Sequence, residues 1–122
     1  MIVLASDHNG VELKEIVKNF LKENKIPAID LGPYASTESV DYTDYAFQLA
    51  NIIKNKEADR GILICGTGVG MSIAANRVSG VRAALVHNIL TAPKCREHND
   101  SNVLCLGSWV TDPFTSVNIV SQ

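Results

Sequence analysis

Residues 61–65, Gly61-Ile62-Leu63-Ile64-Cys65, hold no charged or amide side chain and run directly into Gly66-Thr67-Gly68-Val69-Gly70. A strand without polar alternation has both faces covered, the mark of a parallel sheet flanked by helices. Such a strand followed by a glycine-rich turn and a further apolar stretch reads as strand, tight turn, helix. The same unit recurs along the chain. Ile2–Ala5, Ile26–Leu31, Val81–Val86 and Asn102–Leu106 read as four more strands. Between them, Leu13, Ile16, Val17, Phe20 and Leu21 recur at helical spacing, with Lys14, Lys18 and Lys22 on another face. A second helix is expected over Asp44–Asn55, a third through Met71–Ala75 and a fourth over Thr91–Glu97. Asp112-Pro113 opens a fifth, with Phe114, Val117 and Val120 on one side. This alternation predicts a three-layer α/β architecture: a Rossmann-like, open, parallel five-stranded sheet with helices on both faces. The 122 residues suit one domain over 1–122, whose last helix reaches Gln122 in mid-pattern and is expected to be incomplete there.

A formal net charge of -2 argues against nucleic acid or an anionic membrane as the main partner. No apolar run approaches the roughly 18 residues of a membrane span. The opening segment lacks a basic leader, so the expected location is the cytoplasm. Cys65, Cys95 and Cys105 are odd in number and widely spaced, which suits reduced thiols rather than a disulfide framework or a zinc site.

In open parallel sheets ligands bind beyond the carboxyl ends of the strands. Three polar clusters follow predicted strands: Asp7-His8, Cys65-Gly66-Thr67-Gly68 and Ser108-Trp109. Glycines at 66, 68 and 70 leave backbone amides unshielded before a helix N-terminus, an arrangement suited to an anion. The spacing matches neither a dinucleotide fingerprint nor a P-loop, and a plain tight turn is the other reading. Cys65 stands at the entrance to that loop. It reads equally as a small hydrophobe ending a strand or as a nucleophile or base, since the thiolate is the reactive form and a helix N-terminus favours negative charge. Cys95 and Cys105 read as structural. His8 and His98 lie in polar segments where an imidazole can exchange protons near pH 7. Asp7 either orients an imidazole or sugar hydroxyl, or caps the helix that follows. His87 has no acidic neighbour and is left unassigned.

Together, Ser6-Asp7-His8-Asn9-Gly10, Asp41-Tyr42, the stretch Gly61 to Arg77, and the stretch His98 to Leu104 resemble the ribose-5-phosphate isomerase B and galactose-6-phosphate isomerase group, from residue 1 to about 108. The resemblance implies an aldose–ketose isomerase interconverting ribose 5-phosphate and ribulose 5-phosphate through a cis-enediolate, without redox cofactor or metal. It implies Cys65 as the base, Gly66, Thr67, Gly68, Val69 and Gly70 as the anion hole, and Thr67 as an aid to proton shuttling. It further implies His98 as the residue opening the furanose ring, with Asn99 beside it. Asp7 and His8 become substrate contacts, and Tyr42 lines the same pocket. A homodimer or homotetramer with active sites shared between subunits is implied as well.

Two departures stand out. The family usually carries a phosphate-binding arginine where this chain has Trp109, and further arginines in a C-terminal tail past the position of Gln122. Arg77, Arg82 and Arg96 are the arginines left for consideration, and the expectation is that the chain continues beyond Gln122. A six-carbon substrate, allose or galactose 6-phosphate, is one alternative; a non-catalytic sugar-phosphate-binding domain is another.

Overall fold

The structure, a computed structural model, describes residues 1–34 and 41–121. Strands β1 (Ile2–Ser6), β2 (Ala28–Asp30), β3 (Arg60–Cys65), β4 (Ala83–Leu85) and β5 (Val103–Gly107) form one sheet in the order β2-β1-β3-β5-β4. Every pairing is parallel. Helices α1 (Val11–Glu23), α2 (Tyr42–Lys54), α3 (Val69–Asn76), α4 (Thr91–Glu97) and α5 (Pro113–Ser121) connect and follow the strands. Since β2 lies on one side of β1 and β3 on the other, the strand order reverses between β1 and β3. A crevice opens at that switch point beyond the carboxyl ends.

Alternation along the strands splits the core in two. Val3, Ala5, Leu63 and Cys65 turn to one face, where Leu49 and Ala50 of α2 and Met71 of α3 cover them. Leu4, Ile62 and Ile64 turn to the other, under Val17 and Leu21 of α1 and Ile119 of α5. β3 is therefore apolar because it is the middle strand, with helices on both sides. Each fully buried aliphatic side chain contributes about 1.5–3 kcal/mol.

Several boundaries differ from the sequence reading. β2 is three residues long because Lys25, at φ 58, turns the chain out of α1 and Pro27 has no amide to donate. β4 is equally short, and its edge is covered by side chains. Asn76 donates from Nδ2 to the Ala83 carbonyl and accepts from the Ala83 amide on Oδ1. Asn102 does the same for Gly80 and Arg82. The Asn76 amide stands in for a neighbouring strand and shields the free edge, while Asn102 ties the start of β4 to β5. α2 begins at Tyr42, not after Thr43, because Asp41 Oδ1 accepts from the Thr43 amide and hydroxyl as an N-cap. The remainder of the loop expected there, 35–40, lies outside the described residues. α3 likewise starts at Val69, so Val69 and Gly70 belong to its first turn.

Lys14 is the clearest correction. Its helical spacing places it with Lys18 and Lys22, yet it is fully buried. Its ammonium donates to Asp30 Oδ1 at 2.7 Å and to the Pro33 carbonyl, and lies 5.3 Å from the Tyr34 ring centroid. A buried ammonium persists only with such partners, and here it fastens the end of β2 to α1. Among the described residues, no helix is long and apolar enough to cross a membrane.

Candidate active site

The exits of β1, β3 and β5 lie side by side and are laced together by backbone bonds. The Asp7 amide donates to the Ile64 carbonyl at 3.1 Å, Ser108 N to the Cys65 carbonyl at 2.8 Å, and Trp109 N to the Gly66 carbonyl at 2.8 Å. The Ser108 hydroxyl adds a tie, lying 2.9 Å from the Asn9 carbonyl and 3.2 Å from that of Cys65. Three segments far apart in sequence thus share one rim.

Cys65 ends β3 on that rim. Its side chain joins the core cluster with Ala5, Met71 and Cys105, and only 6% of the residue is exposed. The sulfur nevertheless meets a polar partner: the Gly68 amide donates to Sγ at 3.0 Å. The contact sets a peptide N–H, at the start of α3, directly on the sulfur. Gly68 makes this possible by adopting φ 81, a left-handed conformation costly for any other residue. Thr67 is exposed, and its Oγ1 accepts from the Val69 amide at 3.2 Å. The Gly70 and Met71 amides, in the first turn, have no acceptor within α3. The loop therefore presents peptide N–H groups and a helix dipole next to the thiol. A thiol and a set of peptide donors suited to an anion thus lie in one short loop.

The remaining contacts close round this loop. Asp7 is buried, and its Oδ1 accepts from Asn9 and Gly10, capping the 3-10 turn His8–Gly10. The capping alternative is thereby realised, and Oδ2 is the carboxylate oxygen outside these two bonds. His8 is half-buried in that turn. Tyr42, at the first position of α2, lies against Gly70: a Cβ there would meet its ring at 2.9 Å and its hydroxyl at 3.2 Å. Cys65, Gly66, Thr67, Gly68, Val69, Gly70, Asp7, His8 and Tyr42 thus gather at one end of the sheet.

His98 and Asn99 do not join them. His98 is the exposed C-cap of α4, its amide bonded to the Lys94 carbonyl, and the Asn99 carbonyl accepts from Arg82 Nε at 3.0 Å. Asn102 accepts from the amide of Gly61 at the start of β3, and Cys65 lies four residues farther along, about 13 Å away. Arg82 and Arg96 sit with His98 at the starting end of the sheet, Arg96 bonded to Asp100 at 3.2 Å. A cavity of about 460 Å³ also opens at that end, lined by Ile2, Phe20, Ile26, Cys95, Ile119 and Val120. It contains none of the groups gathered around Cys65.

The other thiols have structural surroundings. Burial, and secondarily the nearby Cys65, pushes the Cys105 thiol well above its ordinary range, so it stays protonated. Cys95 Sγ donates to the Ala92 carbonyl one turn back on α4.

The model of the ribose/galactose isomerase family matches residues 2–122. The chain belongs to that family. Solved structures agree with this isomerase fold. Ribose-5-phosphate isomerase B of Clostridium thermocellum superposes with a TM-score of 0.96 at 47% identity, covering 98% of this chain and 80% of that one. The Thermotoga maritima ribose 5-phosphate isomerase gives 0.95 at 48%, covering 98% and 82%. Ribose-5-phosphate isomerase B of Mycoplasma genitalium, solved with bound ribulose 5-phosphate, gives 0.93 at 46%, covering 98% and 80%.

Within this isomerase frame, sequence reasoning gave no role to Ser108, whose partners Asn9 and Cys65 are distant in the chain. Its place directly after a predicted strand was the available signal. Gly68 carries a sharper expectation. In Gly68→Ala the new Cβ meets Leu85 Cδ1 at 2.5 Å and the Leu106 backbone at 3.1 Å, at a φ that already strains alanine. We expect about 1–3 kcal/mol lost in thermal or denaturant unfolding. Turnover should fall roughly 10²-fold as the amide leaves sulfur and cradle misaligned.

Proposed function

We propose that the chain interconverts ribose 5-phosphate and ribulose 5-phosphate with Cys65 as the base, at a site that a second subunit completes. The observation that carries this reading is the Gly68 amide on Cys65 Sγ at the head of α3, a thiol and an anion cradle in one loop. Three relatives at 46–48% identity are ribose 5-phosphate isomerases, one of them with ribulose 5-phosphate bound. The thiolate takes the proton from C2 of the open-chain aldose, and the electron pair moves to give a C1–C2 enediolate. The Gly66–Gly70 amides bind its oxygen anion, each well-placed donor contributing on the order of 3 kcal/mol in the transition state. Return of the proton to C1, with a proton shift between O1 and O2 aided by the Thr67 hydroxyl, yields the ketose. Atoms and charge balance without an external oxidant or reductant.

Asp7 Oδ2, His8 and Tyr42 hold sugar oxygens. Ring opening falls to His98 of the partner subunit, with Asn99 of the partner subunit beside it. The separation of His98 from Cys65 within one chain supports this division. So do Val69 and Ile73, exposed apolar neighbours on α3 at 44% and 60%, since exposed apolar stripes of this kind suit a subunit contact. A cytoplasmic homodimer or dimer of dimers is the assembly this reading calls for.

Purified protein supplied with ribose 5-phosphate should form ribulose 5-phosphate. It should do so with a kcat/KM at least about tenfold above that for allose or galactose 6-phosphate, a gap of about 1.4 kcal/mol. Preference for a six-carbon phosphate in the same assay would move the substrate assignment to that class. Sugar-phosphate binding without any turnover would leave only a binding domain.

A further inference from the structure

The core layer beneath α1 and α5 is not closed at the starting end of the sheet. Five of its members, Ile2, Phe20, Cys95, Leu104 and Val120, are only partly buried. All five line the cavity of about 460 Å³ that opens there. Its floor is the first residues of β1, β3 and β5, and α1, α4 and α5 form its walls. α4 lines it with Ala92 and Cys95, two small side chains that leave the space between the helices unfilled. The volume falls within the range of small-molecule sites, about 300–1,000 Å³. Aliphatic and aromatic walls hold water poorly and take up an apolar body instead. Arg60 at the mouth and Cys65 stand at opposite ends of β3, about 16 Å apart, so the cavity is separate from the thiol loop.

The rim carries a sign. Asn24, Arg60, Arg96, Ser101 and Asn102 border the opening, and no carboxylate lines it among the described residues. Arg96 is paired with Asp100 at 3.2 Å. Arg60 is exposed, and its Nη1 donates to the Asp59 carbonyl at 3.4 Å. The Asp59 carboxylate itself is taken by the Met1 ammonium at 3.0 Å. Arg60 therefore stands at the mouth of an apolar cavity without an ion-pair partner among the described residues.

We infer that this cavity binds a single-chain carboxylate, with its hydrocarbon tail between α1, α4 and α5 and its head on Arg60. The guanidinium matches a carboxylate in shape and charge. The tail supplies most of the affinity, each buried methylene tightening binding roughly fourfold. The exposed ion pair adds about threefold and fixes the orientation. An anion without an apolar body gains only that small part. The site goes beyond the isomerase reading and does not depend on it.

Decanoate is the probe, titrated into the wild-type chain by calorimetry, with octanoate, decanol and acetate alongside. We expect saturable binding of decanoate, octanoate roughly tenfold weaker, decanol about threefold weaker, and no signal from acetate. Cys95 reports the location. Its alkylation by iodoacetamide, followed by peptide mass spectrometry, should slow about tenfold at ten times the dissociation constant of decanoate, while that of Cys65 is unchanged. Arg60→Gln, at an exposed position that leaves the fold intact, should bring decanoate down to the affinity of decanol. Ala92→Phe fills the cavity and should abolish binding of both; the Arg60 variant and the Cys95 readout decide the matter even if that chain does not fold. Absence of decanoate binding overturns the proposal. So does binding that leaves Cys95 alkylation unchanged, or that protects Cys65 instead, which would place the acid at the anion cradle. Equal affinity of the wild-type chain for decanol and decanoate also overturns it.

Discussion

Cys65→Ala is expected to lower the rate of ribose 5-phosphate isomerisation by about 10³-fold, because a positioned base contributes roughly 10²–10⁴-fold. The loss should fall on kcat, with affinity for the sugar phosphate close to that of wild type by calorimetry. Asp7, His8, Tyr42 and the amides of the glycine loop are untouched by the change. The fold should survive, since removing one sulfur from a site that is 6% exposed costs about 1 kcal/mol. Cys65→Ser sharpens the point. Its hydroxyl can still accept from the Gly68 amide and preserves the loop, but at neutral pH it is a far poorer base. A serine variant as inactive as the alanine variant therefore assigns the loss to proton abstraction and not to loop collapse. Substantial turnover in either variant would remove Cys65 from the mechanism.

The second large effect concerns the division of the site between subunits. Cys65→Ala and His98→Asn chains, each nearly inactive on the cyclic form of ribose 5-phosphate, are expected to complement one another when mixed and reassembled. Random pairing makes half of the dimers mixed. Each mixed dimer contains one site with an intact Cys65 and an intact His98 from the opposite chain, so activity returns to about a quarter of wild type. The separation within one chain makes the outcome decisive. His98 lies at the starting end of the sheet, and Cys65 ends a strand that begins beside Asn102. If each chain carried a complete site, no mixture of the two variants could exceed the sum of its parts.

What could be read from the sequence follows from how local each signal is. The middle strand β3 and the glycine loop were legible because their physics is contiguous. An uninterrupted apolar run reports two covered faces, and glycines before a helix report a turn with exposed amides. Strand count and parallel topology followed from the alternation. Lys14 was not legible as buried, because the partners that make its burial tolerable, Asp30 and Pro33, are 16 and 19 residues away. The short edge strands were overestimated for a related reason. Asn76 and Asn102 end β4 by side-chain bonds that no periodicity reveals. Residue identity at the site came from the Cys65-to-Arg77 stretch and the His98-Asn99 pair. The spacing held no information on their separation, since α4 carries the chain back to the opposite end of the sheet before His98. Trp109 was visible as a residue after a strand, but its contact with Gly66 depends on two neighbouring strand exits and exists only in three dimensions.

Proton abstraction from carbon by the Cys65 sulfur is read out by running the reaction in deuterium oxide and following deuterium into the sugar carbons by nuclear magnetic resonance. The wild-type chain is expected to place solvent deuterium at C1 of the ketose and C2 of the aldose as the two interconvert. His98→Asn should retain this exchange when given open-chain ribulose 5-phosphate. Cys65→Ala should show none above the rate in buffer, although it binds the sugar phosphate. Carbon-bound exchange at the wild-type rate in Cys65→Ala would contradict the account.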